Sequence, residues 1–137
     1  MKKSEPISKI MTADVVTVNK TQSLKDVDKI LEQKHIRHIP VVSGDEVIGM
    51  ISRTDLQKIS FVNSFDGDNL TTAMYDALTI EQVMTKDLTT VESAGPIHDV
   101  TVTLSENEFH ALPVVDNGKL AGIVTTTDLL KYLVDQY

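Results

Sequence analysis

Residues 36–56, IRHIPVVSGDEVIGMISRTDL, return 73 positions later as residues 109–129, FHALPVVDNGKLAGIVTTTDL. The match extends without a gap from Ile7 to Ser64 and from Ile80 to Tyr137, and seventeen of the 58 aligned pairs are identical. Identities fall where backbone geometry and packing restrict the residue: Met11-Thr12 with Met84-Thr85, Asp14 with Asp87, Thr17-Val18 with Thr90-Val91, Pro40-Val41-Val42 with Pro113-Val114-Val115, Gly49 with Gly122, and Thr54-Asp55-Leu56 with Thr127-Asp128-Leu129. Chance likeness between two apolar strands would not carry shared Pro, Gly and Asp through a gapless run. A period of this kind marks two copies of one supersecondary unit. It divides the chain into a first domain over 1–60, a connector over 61–79 and a second domain over 80–137.

Each copy reads as strand, helix, strand, strand, helix, an α/β (α+β) pattern. Val15 to Val18 is β-branched and predicts a strand; Leu24, Val27, Ile30 and Leu31 then recur at helical spacing through Lys34. Ile39 to Val42 and Val47 to Ile51 are short apolar strands joined across Gly44-Asp45, and Asn117-Gly118 holds the matching place as a strong hairpin signal. The closing helix starts near Ser52 to Asp55 in one copy and near Thr125 to Asp128 in the other. One segment pulls two ways: Asp99 to Leu104 alternates like a strand and is rich in poor helix formers, yet it aligns with the helix over Asp26 to Leu31. The repeat decides for a helix there, entered at Gly95-Pro96, with Ile97, Val100 and Leu104 on its buried face. Within the connector a helical piece is expected around Thr71 to Leu78.

The bulk numbers bound the function. The chain has 137 residues, 41% of them hydrophobic and 24% charged, which suits one compact soluble unit. There is no cysteine, so no disulfide or thiolate chemistry is available, and a cytoplasmic location is expected. The N-terminal stretch has no apolar signal-peptide run, and no segment approaches the ~20 apolar residues of a membrane span. A net charge of −7 argues against general nucleic-acid binding. The charge is uneven: residues 1–60 carry ten basic and eight acidic side chains, residues 61–137 three and twelve.

The Met-Thr pairs, the Pro-Val-Val strands and the duplicated GMISRTDL and GIVTTTDL closely resemble the paired CBS domains named after cystathionine β-synthase. One copy of Gly, two apolar residues, Ser/Thr, two residues and Asp would be a weak signal; two copies at matched places are strong. The resemblance implies two tandem CBS domains packed as a pseudo-twofold pair with two related clefts for AMP, ADP, ATP or another adenosyl compound such as S-adenosylmethionine. By position, it implies that Asp55 and Asp128 accept hydrogen bonds from a ribose diol. Ser52, Thr54, Thr125 and Thr127 match hydroxyl positions that contact ribose or phosphate, and Arg37 matches a basic position that reaches phosphate. His38, Ile39, His110, Leu112, Thr17 and Thr90 complete the expected ligand-binding set.

The residue chemistry is consistent with that reading. A ribose diol presents two adjacent donors, and one ionised carboxylate can take both in charge-assisted bonds. Hydroxyls and N–H groups at a helix start favour an anion. Apolar strand residues such as Ile39, Ile51, Leu112 and Val124 are expected to sandwich a base. The copies differ where phosphate would sit: Arg37-His38 becomes His110-Ala111, Arg53 becomes Thr126 and His35 becomes Glu108. Positive partners are therefore expected at Arg37, His38, Arg53 and His110, and the two clefts are expected to differ in affinity.

Blander readings stand beside these. Ser52 to Asp55 and Thr125 to Asp128 also fit a helix capping box, in which the hydroxyl and the acid satisfy the first backbone donors. Arg37 and Arg53 can equally be solvated surface residues. Met11 and Met84 read as packing residues, and His35 with His38 lacks a third metal ligand at a recognisable spacing. No phosphate loop, dinucleotide fingerprint or zinc-protease motif appears, so no enzyme and no required cofactor is expected. Leu129, Leu130, Tyr132, Leu133 and Val134 give the last helix more apolar surface than one buried face needs, which predicts a homodimer. The expected function is a regulatory ligand sensor with an unidentified partner protein; the alternative is an interaction module that binds no nucleotide.

Overall fold

The computed structural model describes residues 5–62, 75–107 and 110–137. The elements are β1 (Val18–Asn19), α1 (Leu24–Lys34), β2 (His38–Ser43), β3 (Glu46–Ser52), α2 (Arg53–Val62), α3 (Ile80–Val83), β4 (Val91–Glu92), α4 (Ile97–Glu106), β5 (Ala111–Asp116), β6 (Lys119–Thr125) and α5 (Thr126–Asp135). Each repeat thus runs strand, helix, strand, strand, helix, as the sequence pattern predicts, after a short opening helical piece that the pattern does not predict, Ile7–Lys9 in the first copy and α3 in the second. The first strand of each copy is shorter than the β-branched run implied, because pairing begins only at Val18 against Val41 and at Val91 against Val114. Of the helix expected around Thr71 to Leu78, residues 75–77 are helical and Leu78 is not, while 71–74 lie outside the described residues.

The chain separates into two compact units that do not coincide with the sequence repeats. One comprises Val16–Gly44 and Ile48–Asp87, and the other Met1–Val15, Asp45–Val47 and Leu88–Tyr137. They are named below the Asp55 unit and the Asp128 unit. The leading segment of each repeat belongs to the unit that holds the other repeat's strands and helices.

In the Asp55 unit, β1 runs parallel to β2, and β2 lies beside β3. Helix α1 begins at a capping box: the Ser23 hydroxyl accepts from the Asp26 N–H at 3.1 Å, and the Asp26 carboxylate accepts from the Ser23 N–H at 3.2 Å. Leu24, Val27 and Leu31 then face the core with Val18, Ile39, Val41, Ile51, Leu56, Tyr75 and Ile80. The helix stops at His35, whose φ of 54° is left-handed, a conformation glycine usually supplies. The segment from the second repeat closes this unit, with Met50 and Thr85 exchanging backbone hydrogen bonds at 3.1 and 2.9 Å.

The Asp128 unit has the matching plan. Here β4 runs parallel to β5, β5 pairs antiparallel with β6, and a register shift falls between Val114 and Val115. The hairpin turn places Asn117 at φ 52° and Gly118 at φ 84°, the pair of positive angles that its Asn-Gly sequence predicts. Helix α4 forms despite its β-branched residues. Ile97, Val100 and Leu104 are buried, and burying each such side chain stabilises by about 1.5–3 kcal/mol. Poor intrinsic propensity costs at most about 0.7 kcal/mol per residue, so burial wins. Thr101 and Thr103 turn their hydroxyls back onto the carbonyls of Ile97 and Asp99. Ile7, Leu112, Val114, Val124 and Tyr132 complete this core.

Candidate functional site

Two helix starts carry the same construction. In the Asp55 unit the Ser52 hydroxyl accepts from the Asp55 N–H at 3.1 Å, while Oδ2 of Asp55 accepts from the Ser52 N–H at 2.9 Å. In the Asp128 unit the Thr125 hydroxyl accepts from the Asp128 N–H at 3.1 Å, and Oδ2 of Asp128 accepts from the Thr125 N–H at 2.9 Å. The capping-box reading is therefore correct for both copies. It leaves chemistry over. Each carboxylate spends one oxygen on the cap, and among the described residues Oδ1 of Asp55 and of Asp128 takes no hydrogen bond. Both side chains are half-buried, so the second oxygen faces a site partly screened from water.

The backbone donors can be counted in the same way. The first helical N–H of α2, from Arg53, donates to the Arg37 carbonyl at 2.8 Å, and that of α5, from Thr126, donates to the His110 carbonyl at 3.0 Å. The third N–H of each helix goes to the cap hydroxyl. What remains is the second, from Thr54 and from Thr127, which finds no partner among the described residues. Their hydroxyl side chains are exposed. Each helix start thus presents a carboxylate oxygen, an N–H and a hydroxyl on two consecutive residues, Thr54-Asp55 or Thr127-Asp128, with Arg37 or His110 held alongside by the backbone bond.

Other expected residues are placed differently. Ile39, Ile51, Leu112 and Val124 are at most 1% exposed and belong to the two cores. That corrects the expectation that they sandwich a base: their side chains are consumed by helix packing and offer no face to a ligand. Arg53 is half-buried, and its Nη2 donates to the carbonyls of Leu31 and Ile36 at 2.9 and 3.3 Å. This group closes the C-terminal end of α1 instead of standing free for phosphate, although its charge stays beside the start of α2. Arg37 and His110 are exposed, His38 is half-buried at the start of β2, Thr17 is half-buried ahead of β1, and Thr90 is exposed ahead of β4. No cluster of three potential metal-ligating side chains occurs among the described residues.

The paired methionines serve packing. A Cβ added at Gly49 would meet the Met84 Sδ at 2.3 Å, and one at Gly122 would meet the Met11 Sδ at 2.7 Å. Glycine is needed at both places because the Met-Thr segment of the opposite repeat lies directly on the strand. The sequence exposes the Met and Gly identities but not their crossed partnership.

Comparison with known proteins agrees with this architecture. The family model for the CBS domain matches twice, over residues 7–61 and 80–135. An uncharacterized protein, MJ1225, of Methanocaldococcus jannaschii is 30% identical over 133 residues, covering 94% of this chain and 47% of that protein. Inosine-5'-monophosphate dehydrogenase of Bifidobacterium longum is 34% identical over 130 residues, covering 93% of this chain and 22% of the enzyme. The chain therefore spans less than half the length of these relatives. Among solved structures, the CBS domain pair of protein MJ0100, in complex with 5'-methylthioadenosine and S-adenosyl-L-methionine, superposes with a TM-score of 0.81 at 24% identity over 97% of this chain and 98% of that one. CBSX2 in complex with AMP gives a TM-score of 0.80 at 23% identity over 96% and 97%. At those identities the two likenesses speak for the fold. The duplicated motif, the repeated strand and helix plan and the two family matches lead to one conclusion: this chain belongs to the CBS domain family, as a tandem pair.

Proposed function

We propose that the chain is a regulatory module that binds an adenosyl ligand at the helix starts of Asp55 and Asp128, and that it is not itself a catalyst. The observation that carries this reading is the division of labour within each carboxylate. Oδ2 is committed to the cap, which orients the group, and Oδ1 is left to accept from a ribose diol. The Ser23 and Asp26 cap of α1 has the same construction, but its carboxylate is exposed and Lys25 stands at the second helical position. The two matched sites set themselves apart by a half-buried Asp next to a Thr at that position. The half-buried setting strengthens a charge-assisted bond relative to the same bond in water. Two proteins of the same fold, MJ0100 and CBSX2, have been solved with 5'-methylthioadenosine, S-adenosyl-L-methionine or AMP, which fits a ligand of this class.

Binding regulates only if the ligand has different affinities for two states of the protein, so the module would act on a partner by favouring one of them. A homodimer formed through α5 is part of this proposal: Leu130, Leu133 and Val134 are exposed on that helix. No described helix is long and apolar enough to cross a membrane.

Calorimetric titration with AMP, ADP, ATP, NAD and S-adenosylmethionine tests the reading. Heat of binding with at least one of them, abolished in an Asp55→Asn, Asp128→Asn double variant that remains folded, is the expected result. Silence with all five would reject it in favour of an interaction module without nucleotide.

A further inference from the structure

The two helix starts are alike where a nucleoside would be held and unlike where its 5' end would extend. The cap distances of the Asp55 and Asp128 sites agree pairwise at 3.1 and 2.9 Å. Each offers the same carboxylate oxygen, the same second-position N–H and a threonine hydroxyl. The flanking position, fixed by the backbone bond to the first helical residue, is Arg37 in one and His110 in the other. That first residue is Arg53 in one and Thr126 in the other. Arginine is charged at every physiological pH, so the Asp55 site has one exposed permanent cation beside it, Arg37, with the charge of Arg53 close by but engaged on the carbonyls of Leu31 and Ile36. The Asp128 site has no arginine at either position.

The surroundings reinforce the difference. The segments forming the Asp55 unit contain eight basic and nine acidic side chains, whereas those forming the Asp128 unit contain five basic and eleven acidic. A polyphosphate approaching the first meets a nearly neutral body with local positive charge. Approaching the second, it meets a strongly negative body with no fixed cation at the helix start, where like charges repel. A 5' substituent that is neutral or positive meets no such penalty there.

Resting on the adenosyl-binding reading above, we infer that the two sites divide ligands by the charge of the 5' group. The Asp55 site takes a phosphorylated adenosine, with Arg37 as the residue that selects phosphate. The Asp128 site takes an adenosyl compound without phosphate, such as a 5'-thioether or a 5'-sulfonium. A chain so built responds to two chemical signals and not to one ligand bound twice.

The test uses the whole chain and two probes, ADP and 5'-methylthioadenosine, titrated by calorimetry. Site assignment comes from Asp55→Asn and Asp128→Asn, each checked for folding by thermal melting. The expected result is one ADP per chain, lost in Asp55→Asn and kept in Asp128→Asn, with the thioether lost in Asp128→Asn. Arg37→Ala should weaken ADP at least tenfold and make its binding less sensitive to salt. His110→Arg should create a second ADP site, and this variant decides the question if Arg37→Ala fails to fold. Two ADP sites of equal affinity in the natural chain, or a His110→Arg chain that still takes one, would overturn the inference. Binding of neither probe at any site would instead reject the adenosyl reading on which it rests.

Discussion

The Tyr132 hydroxyl donates a hydrogen bond to the Glu5 carboxylate, joining residues 127 positions apart within the Asp128 unit. Lys9 reaches the same carboxylate at 2.8 Å. Backbone bonds from Ile7 to Gly95 and from Ile97 to Glu5, both at 2.7 Å, hold this leading segment against the start of α4. The internal repeat supplies a comparison. The counterparts 73 positions away are Ile59 for Tyr132 and Leu78 for Glu5, and both pack against the core of the Asp55 unit. One copy therefore ties its leading segment with a polar bond at a place where the other uses apolar contact.

Removing one partner of a hydrogen bond to a charged group costs about 1.5–3 kcal/mol. Tyr132→Phe is accordingly expected to lower the urea unfolding free energy by about 2 kcal/mol. Replacing both residues, Glu5→Leu with Tyr132→Ile, puts in their places the apolar residue types that the other unit carries and should recover at least half of that loss, since no half-buried carboxylate is left one donor short. A double variant less stable than the single one would show that the bond cannot be exchanged for packing. Lys9 is held above its ordinary pKa by its hydrogen bond to Glu5. Because the folded value is the higher one, its contribution is present at neutral pH and is lost only as pH rises through that raised value.

The two strand glycines should respond differently to relief of their neighbours. Gly49→Ala is expected to destabilise by about 1–3 kcal/mol, and Met84→Ala in the same chain should restore part of it, because the close atoms there all belong to the Met84 side chain. Gly122→Ala clashes with the Thr12 carbonyl oxygen as well as with Met11. Met11→Ala should therefore give little rescue. Denaturant melts of the four variants and the two doubles check this; equal rescue at both glycines would contradict the close approach of the Thr12 carbonyl to Gly122.

The proposed ligand binding at Asp55 is separable from its capping role. Ser52→Ala removes the hydroxyl acceptor and should cost about 1 kcal/mol of stability, with the carboxylate still present. Asp55→Asn keeps an oxygen that can accept from the Ser52 N–H, so stability should change by less than that, yet the charge proposed to hold a ribose diol is gone. Affinity for ADP should then fall at least tenfold. Parallel melting and titration of the two variants tests the separation, which would be refuted by losses of stability and affinity in constant proportion.

Self-association through α5 predicts a change of mass when its exposed apolar side chains become charged. Leu130 is 57% exposed and Val134 is 71% exposed. Leu130→Glu with Val134→Glu should convert a dimer to a monomer in sedimentation equilibrium at micromolar concentration, while the far-ultraviolet spectrum keeps its helical signal. A natural chain that sediments as a monomer would dispose of the dimer.

Much of this molecule is readable from one dimension because its signals are local. The 73-residue period, the Asn117-Gly118 turn, the helical spacing of Leu24, Val27 and Leu31, and the Ser52 and Asp55 cap all depend on residues a few positions apart. Even the conflict over Asp99 to Leu104 is settled by comparing one copy with the other. Three things were less legible. Arg53 looked available for phosphate until its guanidinium was found on the carbonyls that end α1. Ile39 and Leu112 looked like walls for a base, and proved to be core. The Met11 and Met84 identities pointed to packing without showing on which glycine each would lie.

The sequence alone determined the repeated strand and helix plan, the family and the two acidic helix starts, since hydrophobic period, turn residues and caps act over single turns or neighbouring residues. Tertiary structure decided which segment completes which unit, which oxygen of each aspartate stays unbonded, and which cations are already engaged. Those outcomes depend on contacts between residues tens of positions apart, where close packing admits one arrangement and the chain's local preferences are silent.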